Sequence, residues 1–281
     1  MVTHYAAPTL LDAVRAGFAA EGRTLEAVTI EDLAAVDEFH IGGRAATAEF
    51  LERLAIPPDA ELLDIGCGVG GTARLAAHRF GARVHGFDLT PDFIRAGREF
   101  TRWTGLDARV QLEVGDAATA ELSSASYDFV TLVHVGMNIA DKRALFRTVA
   151  RVLRPGGTFG VFDVMRIGPG EVAFPVPWAS THRESHVETP DAYEQACRDA
   201  GMTLVFTRER HQYAIEFFEA MLAKRAAAGG RPARGLHLVM GETAPQKIAN
   251  LVGALRAGTV APVEMVFRAR GAAASHTPTA E

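Results

Sequence analysis

Through the middle of the chain, short apolar runs alternate with stretches whose apolar residues recur every three to four positions. The runs fall at 61–65, 83–88, 110–114, 127–133 and 158–164, short enough and apolar enough to predict buried strands. Helical periodicity begins near Gly71, Pro91 and Ala140. The second of these helices has a start signal, with Thr90 as cap and Pro91 at the first helical position. Arg154-Pro155-Gly156-Gly157 is expected to stop the third helix and turn into the fifth strand. Strands alternating with helices predict a parallel sheet covered on both faces.

The flanks read differently. Residues 1–55 are helical, and Arg44 to Leu54 places Ala46, Phe50, Leu51 and Leu54 on one stripe, which predicts a cap or entrance wall. After the core come a helix at 190–200, an alternating strand at 202–208, helices at 215–228 and 244–257, and a last strand at 263–268. The pattern therefore predicts an N-terminal helical cap over 1–55 and a core over 56–213 and 258–270. A helical insertion at 214–257 would contribute to a lid, and the tail at 271–281 would be disordered.

Composition narrows the function classes. With 29 basic and 34 acidic side chains the 281-residue chain carries a formal charge of −5, so a nucleic-acid partner is not expected. Two cysteines, Cys67 and Cys197, cannot build a disulfide framework or a cysteine-rich zinc site, and no metal is expected. His182 and His186 have ligand spacing but lack a third ligand in the same element. The first residues lack the order of a secretory signal, and no apolar run approaches the roughly 18 residues of a membrane span, so a cytoplasmic protein is expected. An acidic N-terminal part faces a mildly basic C-terminal part, and the plainer of two readings is a solvated face, not self-complementarity.

The chemistry concentrates in Leu62-Leu63-Asp64-Ile65-Gly66-Cys67-Gly68-Val69-Gly70-Gly71-Thr72, an apolar strand that runs through glycines into a helix. Glycines let the backbone turn tightly and approach a ligand, and the helix start presents unpaired N–H groups. Gly66, Gly68 and Gly71 also satisfy a dinucleotide fingerprint, with Asp88 about 20 residues beyond Gly66, so the loop alone leaves two cofactor classes open. Cys67 within it has no neighbouring base and reads as a small buried filler.

The surrounding motifs decide between them. Asp64 two residues before Gly66, Gly68 and Gly70, Asp88 closing the second strand, Gly115-Asp116-Ala117, Tyr127-Asp128-Phe129-Val130 and Arg151-Val152-Leu153-Arg154-Pro155-Gly156-Gly157 stand in the order of a known family. As a set over about residues 60–165, this resembles the class I S-adenosylmethionine-dependent methyltransferases. The resemblance implies an α/β, Rossmann-like doubly wound sheet, mostly parallel and seven-stranded with an antiparallel last strand, plus the helical cap. It further implies S-adenosylmethionine as cofactor. Gly66 and Gly68 would adjoin its methionine part and Asp64 its amino group. Asp88 would take the ribose hydroxyls, and Asp116 the adenine amino group with Ala117 beside it.

The acceptor side rests on position. His134 follows the fourth strand, at the carboxyl edge where open sheets expose side chains to ligands, and is the candidate for orienting or deprotonating the acceptor. Asp163 is a weaker candidate by the same argument. His40 and Gly42, before the cap helix, would pack over the cofactor's carboxylate. Met137, Asn138 and Trp178, with His182, His186 and Tyr213, would line the acceptor cavity, whereas Phe217, Phe218, Met221 and Leu222 read as core. The run Phe174-Pro175-Val176-Pro177-Trp178-Ala179, with Met137-Asn138-Ile139, is similar to the sarcosine and dimethylglycine N-methyltransferases, in a group that includes quinone C-methyltransferases. The expected function is thus methylation of a small molecule, with an amine or amino-acid-like acceptor ahead of a quinone, phenol or lipid-like one. A nicotinamide-dependent oxidoreductase and a non-catalytic cofactor-binding protein are the alternatives, and a homo-oligomer stays open.

Overall fold

The computed structural model describes residues 9–227, 234, 235, 238 and 241–271. Helices α1 (Leu10–Ala20), α2 (Ile30–Asp37) and α3 (Gly43–Leu54) lead into β1 (Glu61–Ile65), α4 (Gly71–Phe80), β2 (Arg83–Asp88), α5 (Pro91–Trp103), β3 (Val110–Val114) and β4 (Tyr127–Val133). Then follow α6 (Lys142–Val152), β5 (Leu153–Arg166), α7 (Pro190–Asp199), β6 (Met202–Glu209), α8 (His211–Ala227), α9 (Ala244–Arg256) and β7 (Val260–Ala269). The seven strands form one sheet in the order β3-β2-β1-β4-β5-β7-β6. All pairs from β3 to β5 are parallel, and β7 runs antiparallel to both β5 and β6. This is the expected doubly wound, Rossmann-like α/β sheet with an antiparallel last strand. Its order reverses between β1 and β4, where an open α/β sheet forms its ligand crevice.

Alternate residues of β1 feed opposite faces. Leu62 joins Phe50, Leu54, Ala73 and Leu75 of α3 and α4, while Leu63 joins Phe146, Val149, Tyr193 and Cys197 of α6 and α7. The predicted stripe of α3 is buried throughout. Helices α1 and α2 bury Leu11, Val14, Phe18, Leu33 and Val36 against Ala96 and Phe100 of α5.

Several local expectations are corrected. The fifth strand begins at Leu153 rather than 158: Leu153 pairs with Tyr127, and Pro155-Gly156-Gly157 forms a bulge before Thr158 meets Phe129. Helix α6 starts at Lys142, because the Asp141 carboxylate caps it by accepting from Ala144 N–H at 2.8 Å. Thr90 stands at the N-cap of α5 but makes no side-chain cap; its own N–H donates to Asp88 Oδ1 at 2.8 Å. Helix α8 begins at His211, so the boundary drawn at 213/214 falls within its first turn. The tail expected to be disordered lies, beyond Gly271, outside the described residues.

The charge asymmetry, read as a solvated face, is partly self-complementary. Glu21 pairs with Arg234 at 2.6 Å, and Glu49 of α3 pairs with Arg208 and Arg210 at 2.6 and 2.7 Å. Buried Glu264 of β7 takes both of the latter guanidinium groups on its other side. Opposite charge at the two ends of the chain is therefore spent in part on docking α3 to the sheet. Among the described residues no helix is long and apolar enough to cross a membrane.

Candidate active site

A cavity of about 500 Å³ opens over the carboxyl ends of β1, β2 and β4, within the size range of small-molecule sites. At one end lie Asp64, Gly66, Cys67, Gly68, Asp88 and Thr90, and at the other Met137, Trp178, Phe217, Phe218, Met221, Ile248 and Leu251; His40 and His134 also line it. Of the residues singled out in the sequence, His40, Asp64, Gly66, Gly68, Asp88, His134, Met137, Asn138 and Trp178 meet here.

The glycine turn is shaped by two demands. Gly66 has φ +71, and a Cβ there would run into the Val135 side chain at 2.3 Å. Gly68 has φ +56 with open space where a Cβ would point, leaving its backbone approachable from the cavity. Asp88 braces the turn, since its Oδ2 accepts from Gly68 N–H at 2.9 Å while Oδ1 holds Thr90. Cys67 is buried, and burial pushes its thiol well above the ordinary range, which leaves it as filler.

Asp64 is almost fully buried. Its Oδ1 accepts from Thr131 Oγ1 at 2.7 Å, and its Oδ2 has no partner. Burial, reinforced by the charges of Asp88 and Glu38 and only partly opposed by Thr131, pushes its carboxyl up to about 7. An unpartnered carboxylate oxygen beside an approachable glycine turn is the arrangement that takes an ammonium group, so the residues present fit the methionine end of S-adenosylmethionine.

This has a consequence for stability. Burial also raises Asp163 to about 7 and Asp37 to about 6. Because the folded chain holds these protons more tightly than the unfolded one, stability of the ligand-free protein is expected to fall as pH rises from about 4 to about 7. Urea titrations across that interval should show the decline, and Asp64→Asn should flatten it. A midpoint that climbs with pH in the wild-type protein would contradict this.

His134 has φ +54, its N–H donates to Phe162 O at 2.6 Å, and its ring stacks on His40 with centroids 5.2 Å apart. Burial, then the charge of His40, pushes its imidazole well below the usual range, so it is neutral, and its Nε2 has no partner. Behind it, His40 Nε2 donates to Glu38 Oε2 at 2.8 Å, Arg44 Nε to Glu38 Oε1 at 2.5 Å and Thr47 Oγ1 to Glu38 Oε2 at 2.7 Å. Burial works against the Glu38 carboxylate, but these bonds and charges outweigh it and hold it down at about 2.

The remaining predicted residues stand elsewhere. Asp116 is exposed with Oδ1 accepting from Ala118 N–H at 2.8 Å, and Ala117 is buried in the core beside β4. Tyr213 donates to Gly42 O at 3.4 Å, and a Cβ on Gly42 would strike that tyrosine, so the pair joins α3 to α8 without lining the cavity. His182 is exposed; the His186 N–H donates to Met137 O at 2.7 Å, so that segment braces the turn after β4 through its backbone. Asp163 accepts from Tyr193 O–H at 2.5 Å below Gly136 and likewise supports that turn. Phe217, Phe218 and Met221, read as core, instead line the cavity, with Phe218 also buried in the cluster between α8 and α9; Leu222 is exposed. Ile248 and Leu251 of α9 were missed because helical spacing does not separate a core face from a cavity face, and Ile41, in the loop before α3, and Val164, on β5, because one apolar residue in a loop or buried strand carries no such signal.

The fold is that of the class I methyltransferases, and residues 62–157 match the methyltransferase domain family. Phosphoethanolamine N-methyltransferase 1 of Arabidopsis thaliana is 34% identical over 169 residues, covering 60% of this chain and 34% of that one. The 2-methyl-6-phytyl-1,4-hydroquinone methyltransferase of Synechocystis sp. is 32% identical over 108 residues, covering 38% and 33%. The chain thus spans about a third of the length of these curated relatives. Among solved structures the 4+2 cyclase SpnF shares the fold with a TM-score of 0.67 at 18% identity, covering 94% of this chain and 98% of that one.

Proposed function

We propose that this chain transfers the methyl group of S-adenosylmethionine to a small-molecule acceptor in the cytoplasm, most simply an amine. The observation that carries the reading is Asp64, which lines the cavity at the glycine turn that Asp88 braces and keeps a buried, unpartnered Oδ2. When bound, S-adenosylmethionine supplies an electrophilic methyl carbon: the acceptor's lone pair forms the new bond as the carbon–sulfur pair stays on sulfur, giving S-adenosylhomocysteine. Asp64 takes the ammonium group, Gly66 and Gly68 admit the methionine part, and Asp88 receives the ribose hydroxyls with the lone pairs its backbone bonds leave over. Asp116, with Ala117 beside it, would meet the adenine from outside the cavity lining, and His40, with Gly42 behind it, would lie towards the carboxylate. His134, neutral and with a free Nε2, orients the acceptor and receives the proton it sheds. Holding the reactants in line contributes about 7–11 kcal/mol of barrier lowering. Helices α1–α3 form the cap and α8–α9 the lid.

A second reading, C- or O-methylation of a phenol or quinone, draws support from the apolar lining and the hydroquinone relative. The test common to both is thermal. S-adenosylmethionine and S-adenosylhomocysteine should raise the melting temperature and NAD(H) should not, and the Asp88→Ala variant should lose about 2–4 kcal/mol of cofactor affinity. Stabilisation by NAD(H) alone would return the glycine turn to the oxidoreductase class.

A further inference from the structure

The cavity has two chemically different halves. Asp37, Asp64 and Asp88 line the half beside the glycine turn, with Glu38 just behind His40. The other half is walled by Ile41, Met137, Trp178, Phe217, Met221 and Ile248. Among the described residues, no lysine or arginine lines either half. The two guanidinium groups closest to the acids are spent on them: Arg74 holds Asp37 at 2.5 Å and Arg44 holds Glu38 at 2.5 Å.

The apolar wall is also held in place. Asn138 Nδ2 donates to Trp178 O at 2.7 Å, the Trp178 indole N–H donates to Ser185 Oγ at 3.0 Å, and Asn250 Nδ2 of α9 donates to Pro175 O at 2.8 Å. Trp178 therefore presents a fixed flat face. On the methyltransferase reading above, we propose that the acceptor half takes a hydrophobic molecule bearing no phosphate or carboxylate, with its amine or hydroxyl carried on an alkyl or aryl body. A phosphate or carboxylate entering this half is stripped of water without a cationic partner among the lining residues. An apolar body displaces water from apolar walls, and the Trp178 face attracts the cationic methylated product of an amine. Anionic acceptors would demand an arginine fork or a lysine where the wall offers Phe217, Met221 and Ile248.

The experiment uses the full chain loaded with S-adenosylhomocysteine, with acceptor binding followed by calorimetry. 2-Phenylethylamine is compared with phenylalanine and with phosphoethanolamine, and 4-butylphenol with 4-hydroxybenzoate. The uncharged-body members should bind at least tenfold more tightly than their anionic counterparts and, with S-adenosylmethionine, should be the ones that release S-adenosylhomocysteine. The amine and phenol arms separate the two sources of the nucleophile. Ile248→Arg should shift the preference between 2-phenylethylamine and phenylalanine tenfold towards the acid, with the melting shift from S-adenosylhomocysteine unchanged. Equal or tighter binding of an anionic member, no binding by either apolar member, or an Ile248→Arg variant with wild-type preference would each overturn the inference. A missing melting shift from S-adenosylhomocysteine defeats the methyltransferase reading itself, whereas a normal shift with an anionic preference defeats only this one.

Discussion

Replacing Arg74 by methionine is expected to lower the unfolding free energy at pH 7.5 by about 3–5 kcal/mol, the usual cost of removing one partner of a buried ion pair. Arg74 has no exposed surface. It donates to Asp37 Oδ1 at 2.5 Å, to Gly97 O at 3.2 Å and to Thr101 Oγ1 at 3.1 Å, so one side chain ties α2, α4 and α5 together. Without it Asp37 keeps only Arg44, at 3.3 Å, while its carboxyl is already raised to about 6 by burial. Removing a positive charge raises it further, so the variant's deficit should shrink as pH falls towards 5.5, where Asp37 takes a proton. The damage reaches the site, because the Asp37 carbonyl sits 2.7 Å from where a Cβ on Gly71 would stand, packing the end of α2 onto the first turn of α4. Urea denaturation at pH 5.5 and 7.5, with Asp37→Asn and the double variant completing a cycle, measures the pair. A loss under about 1 kcal/mol at pH 7.5 would mean that the pair is not buried in solution.

The second large effect is on turnover. Removing the His134 imidazole should slow methyl transfer by about 10²–10⁴-fold, the range for a positioned acid–base group, with S-adenosylmethionine affinity unchanged. Asparagine is the better replacement than alanine, since position 134 has φ +54 and asparagine accepts left-handed backbone more readily. His134→Asn should therefore fold with near wild-type stability and still lose rate. The pH profile gives an independent reading. Burial beside His40 keeps the imidazole neutral well below 6.5, so wild-type turnover should show no loss near that pH from protonation of this group. Wild-type turnover in His134→Asn, or a rate that falls with an apparent pKa of an exposed histidine, would reassign the ring to packing against Phe162, whose ring lies 4.7 Å away.

How far the chain could be read in advance differs by element. The strands β1 to β4 were legible to the residue, because β1 and β4 are short apolar runs buried on both faces, while β2 and β3, towards the sheet edge, alternate buried with more exposed positions, and each ends at glycine, aspartate or a turn. The glycine turn was legible too: Asp64, Gly66 and Gly68 are neighbours in sequence, Asp88 closes the adjacent parallel strand, and a strand followed by a tight turn allows few arrangements of them, so all four line the cavity. The acceptor end was not. Phe217, Phe218 and Met221 have helical spacing that fits core and cavity equally, and only their apposition to Ile248 and Leu251 of α9 and to Trp178 gives them a cavity to line. His182 and Tyr213 failed to reach the cavity because residue type alone drew attention to them.

What the residues by themselves determined is the wound sheet and its glycine turn, since local propensity, apolar period and backbone freedom act over a few neighbouring positions. Only tertiary structure decided which acid stays buried without a partner, which histidine stacks neutral on another, and which arginine is spent on Asp37. Those outcomes depend on desolvation and on charges brought together from distant parts of the chain, as when Asp64 meets Thr131 or Arg74 meets Asp37. The strength of such contacts is set by the surroundings that folding creates.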